Sequence, residues 1–127
     1  MPVVVGFIPT PLGFAALRAG REEAERRGRP LIVVNVIRDG DDGDPRHAAP
    51  GQLDVVHEQT RGAGVRVEVR QERVEHDRSE ALVRIATEEQ AELLVIGIRR
   101  SEGVAAHLIG TTAQKLLLDS PCDVLVV

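Results

Sequence analysis

Four short runs of apolar, largely β-branched residues occur along the chain and limit the folds that it can adopt. They are Val3–Ile8, Leu31–Ile37, Leu93–Ile96 and Val124–Val127. A run of this kind is typical of a strand buried on both faces, as in a parallel sheet covered by helices on each side. The segments between the runs carry apolar residues at helical spacing, which indicates βαβ units. The sequence therefore predicts a doubly wound α/β domain with a parallel sheet.

Capping signals place about four helices between these strands. Thr10 is predicted as the N-cap of the first helix, with Pro11 at its first position, and Gly28 ends it. Asp77, with Glu80 three residues later, indicates a capping box at the start of another helix. The two remaining helices are expected over about 53–61 and from 111 or 112 to 119.

A fifth strand is predicted where Val65, Val67 and Val69 alternate with arginine or glutamate. A period of two is typical of a half-exposed strand, so this one is expected at an edge of the sheet.

Length and composition exclude several classes of function. The 127 residues fit a single domain spanning 1–127. A net charge of −4 and only two aromatic residues argue against a nucleic-acid partner. No apolar stretch approaches the roughly 20 residues of a membrane helix, and no signal peptide is visible. We therefore expect a cytoplasmic protein with no membrane or nucleic-acid partner.

The loops after the first and fourth strands are the candidates for a ligand site, because open parallel sheets bind ligands at the carboxyl ends of their strands. The loop after the fourth strand carries the clearer signal. It begins at Gly97, continues with the cations Arg99 and Arg100, and reaches a helix start at Gly110 with Thr111 and Thr112. The amides of a first helical turn favour an anion such as phosphate. Glycines at turns and surface arginines also occur without any ligand, and the spacing alone slightly favours that interpretation.

The C-terminal third of the chain resembles the universal stress protein family. The resemblance is carried by segments 93–97, 108–111 and 120–127. Nucleotide-binding members carry G-x-x-G, nine further residues and G-[ST]; Gly97, Gly110 and Thr111 match this motif, and Gly103 falls where many members have glycine.

This resemblance implies a five-stranded parallel sheet in the order 3-2-1-4-5. It also implies ATP or another adenine nucleotide as ligand, with or without magnesium. The phosphates would lie at Gly110, Thr111 and Thr112, and the backbone of Val36 would hold the adenine.

Two departures from the family motif bear on nucleotide binding. Arg100 occupies the second glycine position, where its side chain either blocks the approach of the phosphate or binds the phosphate itself. Ile8 occupies the position at which ATP-binding members usually carry an aspartate that contacts the ribose. The neighbouring Pro9 and Thr10 are candidate substitutes, since Thr10 offers a hydroxyl.

The last strand is predicted to form a homodimer interface. It consists of Val124, Leu125, Val126 and Val127 and carries no charge. A bare apolar edge strand invites pairing, and the resemblance implies pairing across a two-fold axis. Partner proteins other than a second copy are not indicated.

Other polar residues give weaker signals. Asp39, Asp41, Asp42 and Asp44 lack the spacing of a calcium loop and are predicted to form a solvated acidic loop. The four histidines, at 47, 57, 76 and 107, lack paired ligand spacing, so no structural metal is expected. Cys122 is predicted to be a packed small residue. No nucleophile elbow, phosphate-loop lysine or carboxylate pair is present, so no catalytic residue is assigned.

Three functions remain open at this point. The first is a nucleotide-sensing stress-response regulator that acts without turnover. The second is a dimeric interaction module that has lost nucleotide binding. The third is a slow ATPase or phosphotransferase in the same cleft.

Overall fold

The computed structural model describes residues 1–40, 43–75, 77–98 and 111–127. Five strands alternate with four helices along the chain. The elements are β1 Val3–Gly6, α1 Pro11–Arg27, β2 Leu31–Arg38, α2 Pro50–Thr60, β3 Val67–Val74, α3 Arg78–Glu88, β4 Leu93–Ile96, α4 Thr111–Asp119 and β5 Asp123–Val126.

All five strands pair in parallel, in the order β3-β2-β1-β4-β5, which confirms the predicted sheet. β1 lies at the centre, and its three valines are fully buried. β3 lies at one edge with half-buried and exposed residues, as its alternating pattern predicts.

Two apolar layers cover the two faces of the sheet. Val3 and Val5 of β1 point into a layer shared with α1 and α2, which contains Leu17 and Val56. Val4 points the opposite way, into a layer shared with α3 and α4. This alternation along one strand is the geometry of a sheet that is buried on both sides.

The first helix begins and ends as its sequence predicts. Thr10 has extended backbone geometry, and its hydroxyl oxygen accepts the N–H of Gly13 at 3.1 Å. Gly28 ends the helix in the left-handed region, at φ 62°. The hydroxyl of Thr10 therefore stabilises the start of α1.

Two boundaries differ from the sequence-based prediction. α2 begins at Pro50, earlier than the predicted start near Leu53, because Pro50 takes the first helical turn and the Gln52 side chain accepts the N–H of Ala49 at 2.8 Å. β3 extends to Val74, because it pairs along the whole of β2.

Candidate functional site

A cavity of about 370 Å³ lies at the carboxyl ends of β1, β2 and β4. Ile8 after β1, Val36 in β2 and Gly97 after β4 all line it. Ala113 and Leu116 of α4 contribute a further part of its wall. Pockets that bind small molecules have volumes of roughly 300–1,000 Å³. The cavity therefore has the position and the size expected of a ligand site in an open parallel sheet.

The described lining of this cavity is mostly apolar. Val34, Leu82 and Ile96 are buried core residues that reach it. Arg46 and Arg78 are the charged side chains among the described lining residues. An apolar pocket with a few charged groups is typical of a small-molecule site, and guanidinium groups favour an anion. This chemistry suits a ligand that has an apolar ring and an attached anionic group.

Ile8 forms part of the cavity wall and leaves the cavity open. It is half-buried and lines the space where the family motif led us to expect a ribose contact. Its side chain is apolar and cannot hydrogen-bond a sugar hydroxyl. Pro9 and Thr10, the candidate substitutes, are not among the described lining residues, and the Thr10 hydroxyl caps α1.

Two glycines let the first turn of α1 pack tightly against the loops that border the cavity. A Cβ on Gly13 would lie 1.7 Å from the carbonyl oxygen of Ile8. A Cβ on Gly97 would lie 2.6 Å from Cγ of Leu12. Such contacts are far shorter than van der Waals separation, so both positions need the space that glycine leaves. Gly97 was predicted from the sequence as a site residue, whereas Gly13 was not.

Buried Asn35 joins three segments around the site. Its Nδ2 donates to the carbonyl oxygens of Phe7 and Arg46, each at 2.9 Å. Its Oδ1 accepts the N–H of Ala48 and the side-chain amide of Gln71, each at 3.0 Å. The end of β1, the β2–α2 loop and β3 are therefore tied to one side chain. The signal that would have revealed it is a lone amide in an otherwise apolar strand, since buried polar groups find partners.

Asp44 joins the two cavity arginines. Its carboxylate accepts from the Arg46 side chain at 2.6 Å and from the Arg46 backbone N–H at 2.8 Å, and it lies 3.5 Å from the Arg78 guanidinium. The Arg46 guanidinium and backbone N–H hold the pKa of the Asp44 carboxyl well below its usual range. Asp44 therefore differs from the solvated acidic loop that was predicted, and it positions two cations at the cavity.

A second carboxylate links α3 to α4. Asp77 is the N-cap of α3, as predicted, and accepts the N–H of Ser79 at 2.9 Å. Lys115 of α4 donates to its other oxygen at 2.7 Å. The hydrogen bond from Lys115, together with those from Ser79, lowers the pKa of the Asp77 carboxyl. The first turn of α3 is thereby held against α4.

The structure describes only part of the predicted phosphate-binding segment. Arg99, Arg100, Gly103, His107 and Gly110 lie outside the described residues, as do Asp41, Asp42 and His76. The backbone of Thr111 and Thr112 begins α4, as predicted. Val36 and Gly97 are the predicted ligand-contact residues that line the described cavity.

The remaining predictions concern metal sites, membrane helices and Cys122. Within residues 1–40, 43–75, 77–98 and 111–127, no group of three or more His, Cys, Asp or Glu residues could hold a metal ion. Of the helices in these ranges, none is long and apolar enough to cross a bilayer. Cys122 lies half-buried against the core layer that contains Val4, with Sγ 3.7 Å from Ser120 Oγ. The cytoplasmic location stays a prediction.

Comparison with known proteins confirms the resemblance. The chain matches the universal stress protein family over residues 1–127. A universal stress protein from Mycolicibacterium smegmatis is 41% identical over 125 residues, which cover 98% of this chain and 95% of that protein.

Two solved structures share the fold. One is a universal stress protein in complex with cAMP, with a TM-score of 0.78, 25% identity and coverage of 100% of this chain and 95% of that chain. The other is the universal stress protein from Archaeoglobus fulgidus in complex with dAMP, with a TM-score of 0.76, 26% identity and coverage of 99% and 96%. From its sequence and its fold alike, the chain belongs to the universal stress protein family.

Proposed function

We propose that the cavity at the carboxyl end of the sheet binds an adenine nucleotide and that the protein acts as a nucleotide-dependent regulator. The observation that carries this proposal is the apolar cavity of about 370 Å³ between the ends of β1, β2 and β4 and the start of α4. Two relatives of the same fold and family are complexes with cAMP and dAMP, which supports an adenine nucleotide as the ligand.

The apolar wall suits the adenine ring. Ile8, Val34 and Val36 border the cavity on the β1–β2 side of the sheet. Burial of an aromatic base against aliphatic side chains removes apolar surface from water, at about 25 cal/mol per Å². In the proposed complex the backbone of Val36 selects adenine through its hydrogen-bonding groups.

The start of α4 suits the phosphates. Thr111 begins the helix, and Ala113 in the same turn lines the cavity. The first N–H groups of a helix have no partner inside it, and the helix dipole adds positive potential there. In the proposed complex the phosphates of AMP, or of ATP with magnesium, lie at Gly110, Thr111 and Thr112.

Isothermal titration of the purified chain tests this proposal. AMP, ATP and ATP with Mg²⁺ are expected to bind saturably, with GTP as the comparator that keeps the phosphates and changes the base. Release of inorganic phosphate from ATP is expected to stay at the background rate, because the protein acts by binding. Absence of both heat and thermal stabilisation at millimolar AMP and ATP would leave the dimeric interaction module as the function. Phosphate release that Thr111→Ala abolishes would instead favour the slow ATPase.

We also propose that the regulator is a homodimer joined along β5. β5 is the last strand of the sheet, so one of its edges faces no other strand within the described part of the chain. Exposed apolar side chains lie on β5 and on the adjacent α4: Leu118 is 83% exposed, Leu117 40% and Val126 36%. An exposed apolar patch beside a sheet edge is typical of an interaction surface.

Substitution of these side chains is expected to separate the subunits. The parent chain should show twice its 13.8 kDa mass in light scattering at micromolar concentration. Leu118→Glu and Val126→Glu should shift it to the single-chain mass, because a buried carboxylate without a partner opposes association. Val55→Glu is the matched control, since Val55 is 43% exposed on α2, which packs near the other edge of the sheet. A parent chain of single-chain mass would refute the dimer.

A further inference from the structure

Arg78 is placed to meet a ligand in the cavity. It is the first residue of α3, and its side chain is only 14% exposed while it lines the cavity. Asp77, the residue before it, is bonded to Lys115 of α4 at 2.7 Å. That bond holds the start of α3 against α4, and Ala113 of α4 lines the same cavity. The Arg78 side chain and the first turn of α4 therefore border one space.

The ion pair with Asp44 holds the Arg78 guanidinium at the cavity wall. The Asp44 carboxylate lies 3.5 Å from this guanidinium and is bonded more closely to Arg46, at 2.6 Å. Asp44 thus acts as a shared anchor for two cations that both line the cavity. A mostly buried guanidinium is screened less by salt than a surface one, and its planar fork matches the oxygens of a phosphate.

We infer that Arg78 contacts the phosphate of the bound nucleotide and makes the site select phosphorylated adenosine over adenosine. This inference rests on the proposed nucleotide site and adds a specificity-determining residue to it. Adenosine shares the apolar wall and lacks the anion, so the guanidinium contributes to binding of AMP and contributes little to binding of adenosine. Arg46, which is 48% exposed, is a weaker contributor because water competes for it.

Titrations with AMP and with adenosine test the inference. The parent chain is expected to bind AMP at least tenfold more tightly than adenosine, as charge-assisted hydrogen bonds to a phosphate imply. Arg78→Gln should weaken AMP binding about ten- to a hundredfold and leave adenosine binding unchanged. Arg78→Lys should recover part of the loss, since it keeps the charge and removes the planar fork.

Arg84→Gln is the matched control. Arg84 lies on the same helix, is 51% exposed and pairs with Glu88 one turn along the helix at 3.6 Å. This variant should bind AMP like the parent chain. Equal AMP affinity in Arg78→Gln and the parent chain would overturn the inference, as would a parallel loss of adenosine binding. A parent chain that binds neither ligand would refute the nucleotide site itself and the role of Arg78 with it.

Discussion

Asn35→Leu is expected to lower the free energy of unfolding by about 3 kcal/mol, because it leaves several buried polar groups without a partner. Asn35 is 1% exposed, and leucine fills a similar volume without any hydrogen-bonding group. Four bonds are lost: those to the carbonyl oxygens of Phe7 and Arg46 and those from Ala48 and Gln71. Each unsatisfied buried group costs roughly 1–3 kcal/mol before water enters and the chain relaxes.

Urea denaturation followed by circular dichroism measures this loss. Gln71→Leu is the control, because it removes one bond to Asn35 and one to the Ala48 carbonyl at the exposed edge of the sheet. Its expected cost is about 1 kcal/mol. If Asn35→Leu also lowers the free energy of unfolding by only about 1 kcal/mol, Asn35 does not hold these segments together as proposed. Because Phe7 and Arg46 border the cavity, Asn35→Leu should also weaken AMP binding.

Gly13→Ala is expected to destabilise the fold by about 3 kcal/mol and to distort the cavity. The added Cβ would lie 1.7 Å from the carbonyl oxygen of Ile8 and 2.8 Å from its carbonyl carbon. Both are backbone atoms, so no side-chain rotation relieves the clash, and α1 or the β1–α1 loop must move. Since Ile8 and Gly13 both line the cavity, movement of either changes the proposed base-binding wall.

Gly51→Ala provides the matched control for this substitution. Gly51 lies in the first turn of α2, as Gly13 lies in the first turn of α1. A Cβ at Gly51 meets nothing within 4 Å, and its φ is not positive. Alanine there should be neutral or stabilise by up to about 1 kcal/mol. Thermal unfolding compares the two variants, and equal melting temperatures would contradict the packing of α1 against Ile8.

The fold was predictable because the signals for its strands and helix caps lie in short stretches of the sequence. The apolar run from Val3 sets a central strand that must be covered on both faces, and the structure confirms it. Thr10 and Asp77 act as N-caps, as their sequence contexts indicate. The start of α2 was placed too late, because Pro50 follows a stretch rich in Gly, Pro and Asp that resembles a loop, although proline is favoured in a first helical turn.

The site was predictable only where it follows from sheet topology or from the family resemblance. Gly97 was expected at the cleft because the carboxyl ends of parallel strands meet at one edge of the sheet. Val36 was expected there from the resemblance to the universal stress protein family, and both residues line the cavity. Arg46 and Arg78 were missed because they are 32 residues apart in sequence and are joined through Asp44. Such long-range pairing leaves no local pattern in the chain.

Amide chemical shifts of the ¹⁵N-labelled protein, titrated with AMP, show whether the nucleotide binds at the carboxyl ends of the strands. We expect saturable shifts at the carboxyl ends of the strands and at the start of α4, with residues Ile8, Val36, Gly97 and Ala113 among those affected. Arg66 and Glu89 border a separate pocket near the amino ends of the strands and should not shift. Spectra unchanged at millimolar AMP, or shifts confined to that amino-terminal end, would refute nucleotide binding in the cavity.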